Sequence, residues 1–133
     1  MCSSDLAEAV AGGLTQYSFT FVAFEADRLA SQDARAAQRL RQRAARLYLR
    51  AQRHAMAALE RHQPGLRASL ATAVPLSLQP ELVGVAYWAA AAWASHIALS
   101  TDRPEVVADL PQAVRLAGLC NTMPVQARRK RRR

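Results

Sequence analysis

The sequence lacks the motifs that would indicate an enzyme or a metal protein. Its two cysteines, Cys2 and Cys120, stand in no Cys-x-x-Cys or Cys/His spacing, which argues against a disulfide framework or a metal site. No Ser/His/Asp or Cys/His arrangement, glycine-rich phosphate loop or His-Glu-x-x-His motif is present. We therefore predict a protein that is not an enzyme and that carries no cofactor or metal.

The N-terminus lacks the apolar segment of a secretory leader, because Met1-Cys2 is followed at once by Ser3, Ser4 and Asp5. The opening residues also look like a translated remnant of a sequencing adapter. This interpretation predicts that the natural start of the protein is not included. The missing leader would then carry no information about the compartment.

Charge outside the C-terminus is nearly balanced. The net charge is +8, but residues 128–133 are all Arg or Lys and supply +6 of it. The remaining 12 basic and 10 acidic residues leave a net charge of +2. A nucleic-acid-binding function would rest on this tail, which contains no aromatic residue, so we do not expect nucleic acid as a partner.

Residues 82–101 contain no Asp, Glu, Lys or Arg. About twenty apolar residues can span a bilayer, but seven of these twenty are alanine, and no basic cluster flanks the stretch. A helix that is apolar all round can instead be surrounded by other helices. We therefore predict the central helix of an all-α domain and no membrane span.

Helix signals continue along most of the chain. Residues 17–24 could be read as a strand, but no turn residue separates them from the polar segment that follows, which favours a helix. A short connection after the first helix makes the second its antiparallel neighbour. Asp102 or Thr101 is a candidate cap for the helix that Pro104 opens. The predicted helices cover residues 5–29, 33–62, 64–71, 80 to about 100, 104–110 and 111–119.

The predicted fold is all-α, with antiparallel helix pairs of the tetratricopeptide-like (α-α superhelix) type. The small residues of the second helix approximate the second helix of such a repeat, although the Trp and Gly positions expected in the first helix are absent. We divide the chain into an N-terminal segment (1–13), a helical repeat-like domain (14–120) and a disordered basic tail (121–133).

A series of landmarks in fixed order is more specific than any single motif. They are Leu14-Thr15-Gln16-Tyr17, Phe21-Val22, Glu25-Ala26-Asp27-Arg28, residues 43–51, Tyr87-Trp88-Ala89-Ala90-Ala91 with Trp93, residues 97–100 and residues 105–111. This series resembles the T component of the tetratricopeptide-associated TRAP transporters, the TatT family. The resemblance covers residues 14–119. The family's leader, lipid-anchor cysteine and flanking helices are not matched, which predicts a fragment.

The resemblance implies a periplasmic, lipid-anchored, all-helical protein that forms homo-oligomers. It implies a non-enzymatic binding and scaffold subunit that docks the substrate-binding protein of a TRAP transporter and handles an apolar solute. The alternative is a generic helical-repeat adaptor for protein–protein interactions.

Six aromatic residues are candidates for an apolar ligand groove, and four charged residues are candidates for polar contacts. Aromatic residues at helical spacing belong to the core more often than to a site, and Tyr17, Tyr87 and Trp88 are the expected exceptions. For Glu25 and Asp27 we expect ion pairs with Arg46 or Arg50 of the antiparallel helix, and for His96 a hydrogen-bonded position in the core. The groove candidates are Tyr17, Phe21, Phe24, Tyr87, Trp88 and Trp93.

Overall fold

The computed structural model describes residues 3–122, and these residues form helices and no strand. This confirms the all-α class. The predicted tail from residue 123 onward and Cys2 lie outside the described residues. The helices are α1 (Ser3–Tyr17), a π-helical segment (Ser18–Ala23), α2 (Phe24–Leu29), α3 (Ala34–His62), α4 (Leu66–Leu70), α5 (Val83–Ala98, after a 3-10 turn at Pro80–Leu82), α6 (Pro104–Val107) and α7 (Leu110–Asn121).

The first helix continues from α1 through the π-helical segment into α2, so residues 17–24 are helical and not a strand. It also runs without a break across residues 13 and 14, where we divided the N-terminal segment from the repeat-like domain. The backbone N–H of Phe24 donates to the carbonyl of Phe19, five residues earlier, which is the π-helical bond. The inward face of this helix carries small residues almost throughout: Ser4, Ala7, Ala11, Thr15, Ser18, Val22 and Ala26 are buried.

Helix α3 has the limits that its sequence predicts. Asp33 is the N-cap, and its Oδ1 accepts a hydrogen bond of 2.9 Å from the backbone N–H of Ala36. Gly65 follows the helix at φ = 85°, a left-handed conformation that glycine adopts without strain. The Glu60 carboxylate accepts hydrogen bonds from the backbone N–H groups of Gly65 (2.7 Å) and Arg67 (3.2 Å). This side chain therefore connects the end of α3 to the start of α4.

The ionisation of Glu60 should make the stability of the fold depend on pH. The two N–H donors lower the pKa of its carboxyl group, so the ionised form stabilises the fold above the unfolded pKa, and this contribution is lost as the pH falls through the folded pKa. We expect Glu60→Gln to lower the Tm at neutral pH, and the deficit to shrink below about pH 4. Thermal unfolding at several pH values measures this. Asp102→Asn, which removes another exposed carboxylate, is the control, and an equal pH-dependent deficit there would contradict the assignment.

The long helices alternate in direction. Ser3 Oγ lies 2.9 Å from His62 Nε2, while Asp27 and Arg41 meet near the other end of the pair. The first helix and α3 are therefore antiparallel, as predicted. The buried His96 ring on α5 bonds through Nδ1 to the Ala45 carbonyl of α3 at 2.9 Å, which confirms the expected core histidine.

Helix α5 is the centre of the molecule and contacts α1, α3 and α7. Its buried residues include Val85, Ala89, Trp93 and Ile97, in one hydrophobic cluster with Leu59 and others from the neighbouring helices. No helix among residues 3–122 is long and apolar enough to cross a bilayer. The prediction of a central core helix for this uncharged stretch is confirmed.

The predicted cap of α6 is wrong by one or two residues. Arg103 is the N-cap, without a side-chain cap bond, although Pro104 does occupy the first turn as predicted. The chain between α4 and α5 is held by Arg115 of α7, which donates to the carbonyls of Ser69 (2.8 Å) and Val74. These charge-assisted bonds fix a connection that has no regular structure of its own.

Candidate functional site

Three of the groove candidates are exposed on the outer surface of the first helix. Tyr17, Phe21 and Phe24 are 43%, 66% and 65% exposed, and the rings of Tyr17 and Phe21 are 5.4 Å apart between centroids. We call this set the aromatic face. The expectation that the phenylalanines belong to the core was wrong, because the inward face of this helix packs through small side chains that leave no room for large rings.

Phe19 belongs to a different side of the same helix. It is 67% exposed, but it lies two residues from Tyr17 and from Phe21, and residues two apart do not share a helix face. The first helix thus exposes all three phenylalanines of the chain. The contiguous apolar surface that Tyr17 and Phe21 form is of a kind that another molecule often covers.

A second candidate surface is a shallow, open cleft of about 450 Å³ along α1, bordered on the α5 side by Trp88. We call it the α1–α5 cleft. Trp88 forms its apolar wall, and Tyr87 packs edge-on against Trp88 with 5.1 Å between ring centroids. The opposite wall comes from α1. The cleft is lined by Asp5, Glu8, Ala9, Gly12, Gly13, Gln16 and Trp88.

Two glycines allow α1 and α5 to pack closely beside this cleft. A Cβ atom at Gly12 would lie 2.9 Å from Cε2 of Trp88, and a Cβ atom at Gly84 would overlap the carboxylate of Glu8. Glu8 thus faces Gly84 while Gly12 faces Trp88, which makes α1 and α5 parallel and closely packed. A carboxylate and an indole are placed side by side as a result.

The six aromatic candidates do not form one groove. Trp88 lines the α1–α5 cleft and Tyr87 contacts Trp88 without lining the cleft, whereas the aromatic face contributes no residue to the lining. Trp93 is 3% exposed and belongs to the main hydrophobic cluster. The candidates therefore separate into two surface sets and one core residue.

The two acidic candidates form ion pairs, but not with the arginines that were expected. Glu25 contacts Arg28 at 2.7 Å, and Asp27 contacts Arg41 at 3.2 Å. The hydrogen bond between Arg28 and Glu25 lowers the pKa of Glu25 and raises the pKa of Arg28. Arg46 and Arg50 lie too far along α3, because the turn at residues 30–33 places residue 41 opposite residue 27.

Arg46 and Arg50 instead line an open groove of about 580 Å³ on the outer surface of α3, with Leu49, Arg53 and His54. We call it the basic groove. Within residues 3–122, no group of His, Cys, Asp and Glu side chains is arranged to hold a metal ion. The chemistry that these surfaces offer is binding: apolar contact, cation–π contact at Trp88, and anion contact at the arginines.

The comparison with known families identifies the chain. A family model described as TRAP transporter T-component matches residues 2–118. The chain belongs to this family. The match covers α1 to α6 and most of α7, so the aromatic face, the α1–α5 cleft and the basic groove all lie inside the region that defines a T component. Searches of curated proteins and of solved structures found no significant match.

Sequence reasoning on this T component missed Phe19 and most of the α1–α5 cleft. The small residues Ala7, Ala11, Thr15 and Ser18 recur at steps of three and four, and this period could have marked the inward face and so predicted exposed phenylalanines. Glu8 and Gly12 carried no such signal, because their roles depend on which residues of α5 lie opposite them.

Proposed function

We propose that the chain is a non-enzymatic binding subunit of a TRAP-type solute transport system. It docks the system's periplasmic substrate-binding protein and binds an apolar solute. Membership of the T-component family supports the transport role. The exposure of the adjacent Tyr17 and Phe21 rings, with Phe24 also exposed on this helix, is the observation that carries the apolar ligand.

The α1–α5 cleft supports the same proposal at a second place. Its Trp88 wall and the adjoining Tyr87 ring offer apolar contact area, while Asp5 and Gln16 add polar groups at the edge. Binding sites commonly combine an apolar lining with a few polar groups that fix the orientation of the ligand. The cleft and the aromatic face would handle different parts of a solute or successive positions of it.

The family resemblance suggests a cellular location and an assembly state for this function. We propose a periplasmic location with a lipid anchor in the full-length protein, tetratricopeptide-like helix pairs, and assembly into a homo-oligomer. The exposed aromatic rings fit an assembled protein, since apolar surface of this kind is often buried in an interface. Light scattering of the purified chain gives the oligomeric state directly.

Docking is tested by isothermal titration of the chain with the substrate-binding protein of the same TRAP system. We expect saturable binding, with an affinity in the micromolar range that is typical of transient partners. No association with a full-length version of the chain would refute the docking role. A neighbouring, unrelated binding protein of similar charge is the control.

Removal of two exposed rings tests the apolar ligand. We expect Phe21→Ala/Phe24→Ala to weaken binding of the apolar probe anilinonaphthalene sulfonate by about tenfold, since each ring supplies apolar contact area. The free energy of unfolding should change by less than about 0.5 kcal/mol per site, because both rings are exposed. Phe19→Ala is the control, with the same ring type, helix and degree of exposure, and the losses are compared per ring removed. An equal loss with Phe19→Ala would contradict a site at the aromatic face.

The second candidate function is a helical-repeat adaptor that binds peptides. The arginine and histidine side chains that line the basic groove favour it. It is distinguished from solute binding by the same probe titration. An adaptor would bind peptides in solution and would show no difference between the Phe21→Ala/Phe24→Ala and Phe19→Ala variants.

A further inference from the structure

Charge in the described chain is divided between α3 and everything else. Helix α3 contains eight arginines and one acidic residue, Glu60, which gives a net charge of +7. The remaining described residues contain four arginines and nine acidic residues, a net charge of −5. The near-neutral total therefore conceals one strongly basic helix.

Six of these arginines form a row along the outer face of α3. They recur at steps of three and four residues, so they lie within a narrow sector of the helix, opposite its buried alanines. All six are exposed, and within residues 3–122 none of them has an ion-pair partner. The row is about 27 Å long at the rise of an α-helix. We call it the arginine row: Arg35, Arg39, Arg43, Arg46, Arg50 and Arg53.

The arginine row opposes the stability of its own helix. Like charges three or four residues apart repel one another, and no carboxylate on the same face relieves this repulsion. Glu60 is the one acidic residue of α3, and its carboxylate is bonded to the turn after the helix. A row of unpaired charges that costs stability is explained if a ligand outside the chain neutralises it.

The surroundings of the row favour an acidic protein over a single-stranded nucleic acid or a membrane. Binding sites for single-stranded nucleic acid stack bases on aromatic rings, but Tyr48, the aromatic residue of α3, is buried on the opposite face. Helices that lie in a membrane surface insert an apolar face, whereas the apolar face of α3 is packed into the core. A protein helix with carboxylates along one face would present them at the same three- and four-residue steps as the arginines.

A second copy of the chain offers no matching row of carboxylates. The acidic residues outside α3 are dispersed, and several already have partners: Glu25, Asp27 and Glu105 are in ion pairs, and Asp33 caps α3. A different protein therefore fits the row better than a copy of the same chain.

We infer that the arginine row is a docking surface for a protein partner that presents a row of carboxylates along a helix. The inference rests on the proposed function in taking that partner to be the substrate-binding protein of the TRAP system. Arginine suits this contact because its planar guanidinium group bonds a carboxylate through two parallel N–H donors. The basic groove, between Arg46, Arg50 and Arg53, occupies the C-terminal half of this surface.

The test compares two triple variants of the full chain that lose the same charge. Arg46→Gln/Arg50→Gln/Arg53→Gln removes the C-terminal half of the row, and Arg28→Gln/Arg67→Gln/Arg103→Gln removes three exposed arginines elsewhere. Both keep the basic residues at the C-terminus, so that segment contributes equally. The first probe is the substrate-binding protein. The second is a synthetic helical peptide with glutamates at every third or fourth position, together with the same peptide carrying glutamine in their place.

We expect the row variant to lose at least about tenfold in affinity for both acidic probes, and the control variant to lose less than about twofold. The glutamine peptide should bind neither the unmodified chain nor either variant. If the substrate-binding protein binds all three chains equally, the inference is overturned while the proposed function stands. If that protein binds none of them but the glutamate peptide still requires the row, the docking surface stands and the proposed partner is wrong.

Three further results would overturn the inference. The first is tighter, row-dependent binding of a 24-nucleotide single-stranded DNA than of the glutamate peptide. The second is tighter, row-dependent binding of vesicles of phosphatidylserine and phosphatidylcholine than of the glutamate peptide. The third is a homo-oligomer of the unmodified chain that dissociates in the row variant alone, which would identify a second copy as the occupant.

Discussion

Replacement of Trp93 by alanine is expected to lower the free energy of unfolding by about 3–5 kcal/mol. Trp93 is 3% exposed and belongs to the cluster that joins α5 to its neighbours. The alanines along α5 let the other helices approach closely, so the indole fills a space that no nearby side chain can occupy after truncation. Urea unfolding followed by far-ultraviolet circular dichroism measures the loss without relying on tryptophan fluorescence.

Trp88→Ala is the matched control for this prediction, five residues earlier on the same helix. Trp88 is only partly buried and forms a wall of the α1–α5 cleft, so we expect a smaller loss of about 1–2 kcal/mol. Its larger effect should be on probe binding at the cleft. Equal destabilisation by the two substitutions would mean that Trp88 is a core residue and that the cleft is not a site.

Much of the architecture could be predicted because it depends on local signals. Asp33 as an N-cap, the long apolar period of α3 and the prolines at 104 and 111 determine helix ends through interactions within a few residues. The short connection between the first helix and α3 then requires an antiparallel pair. The same reasoning identified α5 as the centre, since its uncharged surface must be covered on all sides.

The expectation about the phenylalanines failed because burial depends on the partner helix as well as on hydrophobicity. Phe21 and Phe24 are among the largest apolar side chains, but the first helix packs through Ala7, Ala11 and Ser18. The first helix therefore packs closely against its neighbours through small residues and leaves the phenylalanine rings exposed. The run of small residues was the one sign in the sequence of the inward face, and the cluster of large apolar rings was given more weight.

Contacts between elements were the least predictable part. Glu25 and Asp27 were expected to pair with arginines of α3, and the choice of Arg41 over Arg46 depends on a register of a few residues across the turn. The α1–α5 cleft likewise depends on which residues of two helices, separated by α3 in the chain, lie opposite each other. No local pattern encodes that correspondence, so Glu8 and Gly12 carried no signal.

The adjacent glycines of α1 provide the sharpest test of this packing. Gly12→Leu is expected to destabilise the fold by about 2–3 kcal/mol, because even a Cβ atom there would lie 2.9 Å from Cε2 of Trp88 and a larger side chain must displace the ring. Gly13→Leu is expected to stabilise it by about 0.5 kcal/mol, since nothing lies within 4 Å of a Cβ at that position and leucine favours helix more than glycine does.

The two substitutions share the same residue change and the same helix, so the helix propensity gained is the same in both. The difference between them therefore isolates the contact of α1 with Trp88. Displacement of the indole should also shift tryptophan emission to longer wavelength in Gly12→Leu and leave it unchanged in Gly13→Leu, because Trp88 would become more exposed to water. Equal stability of the two variants, with identical emission, would show that α1 and α5 do not pack in parallel at Gly12. The α1–α5 cleft would then lose its structural basis.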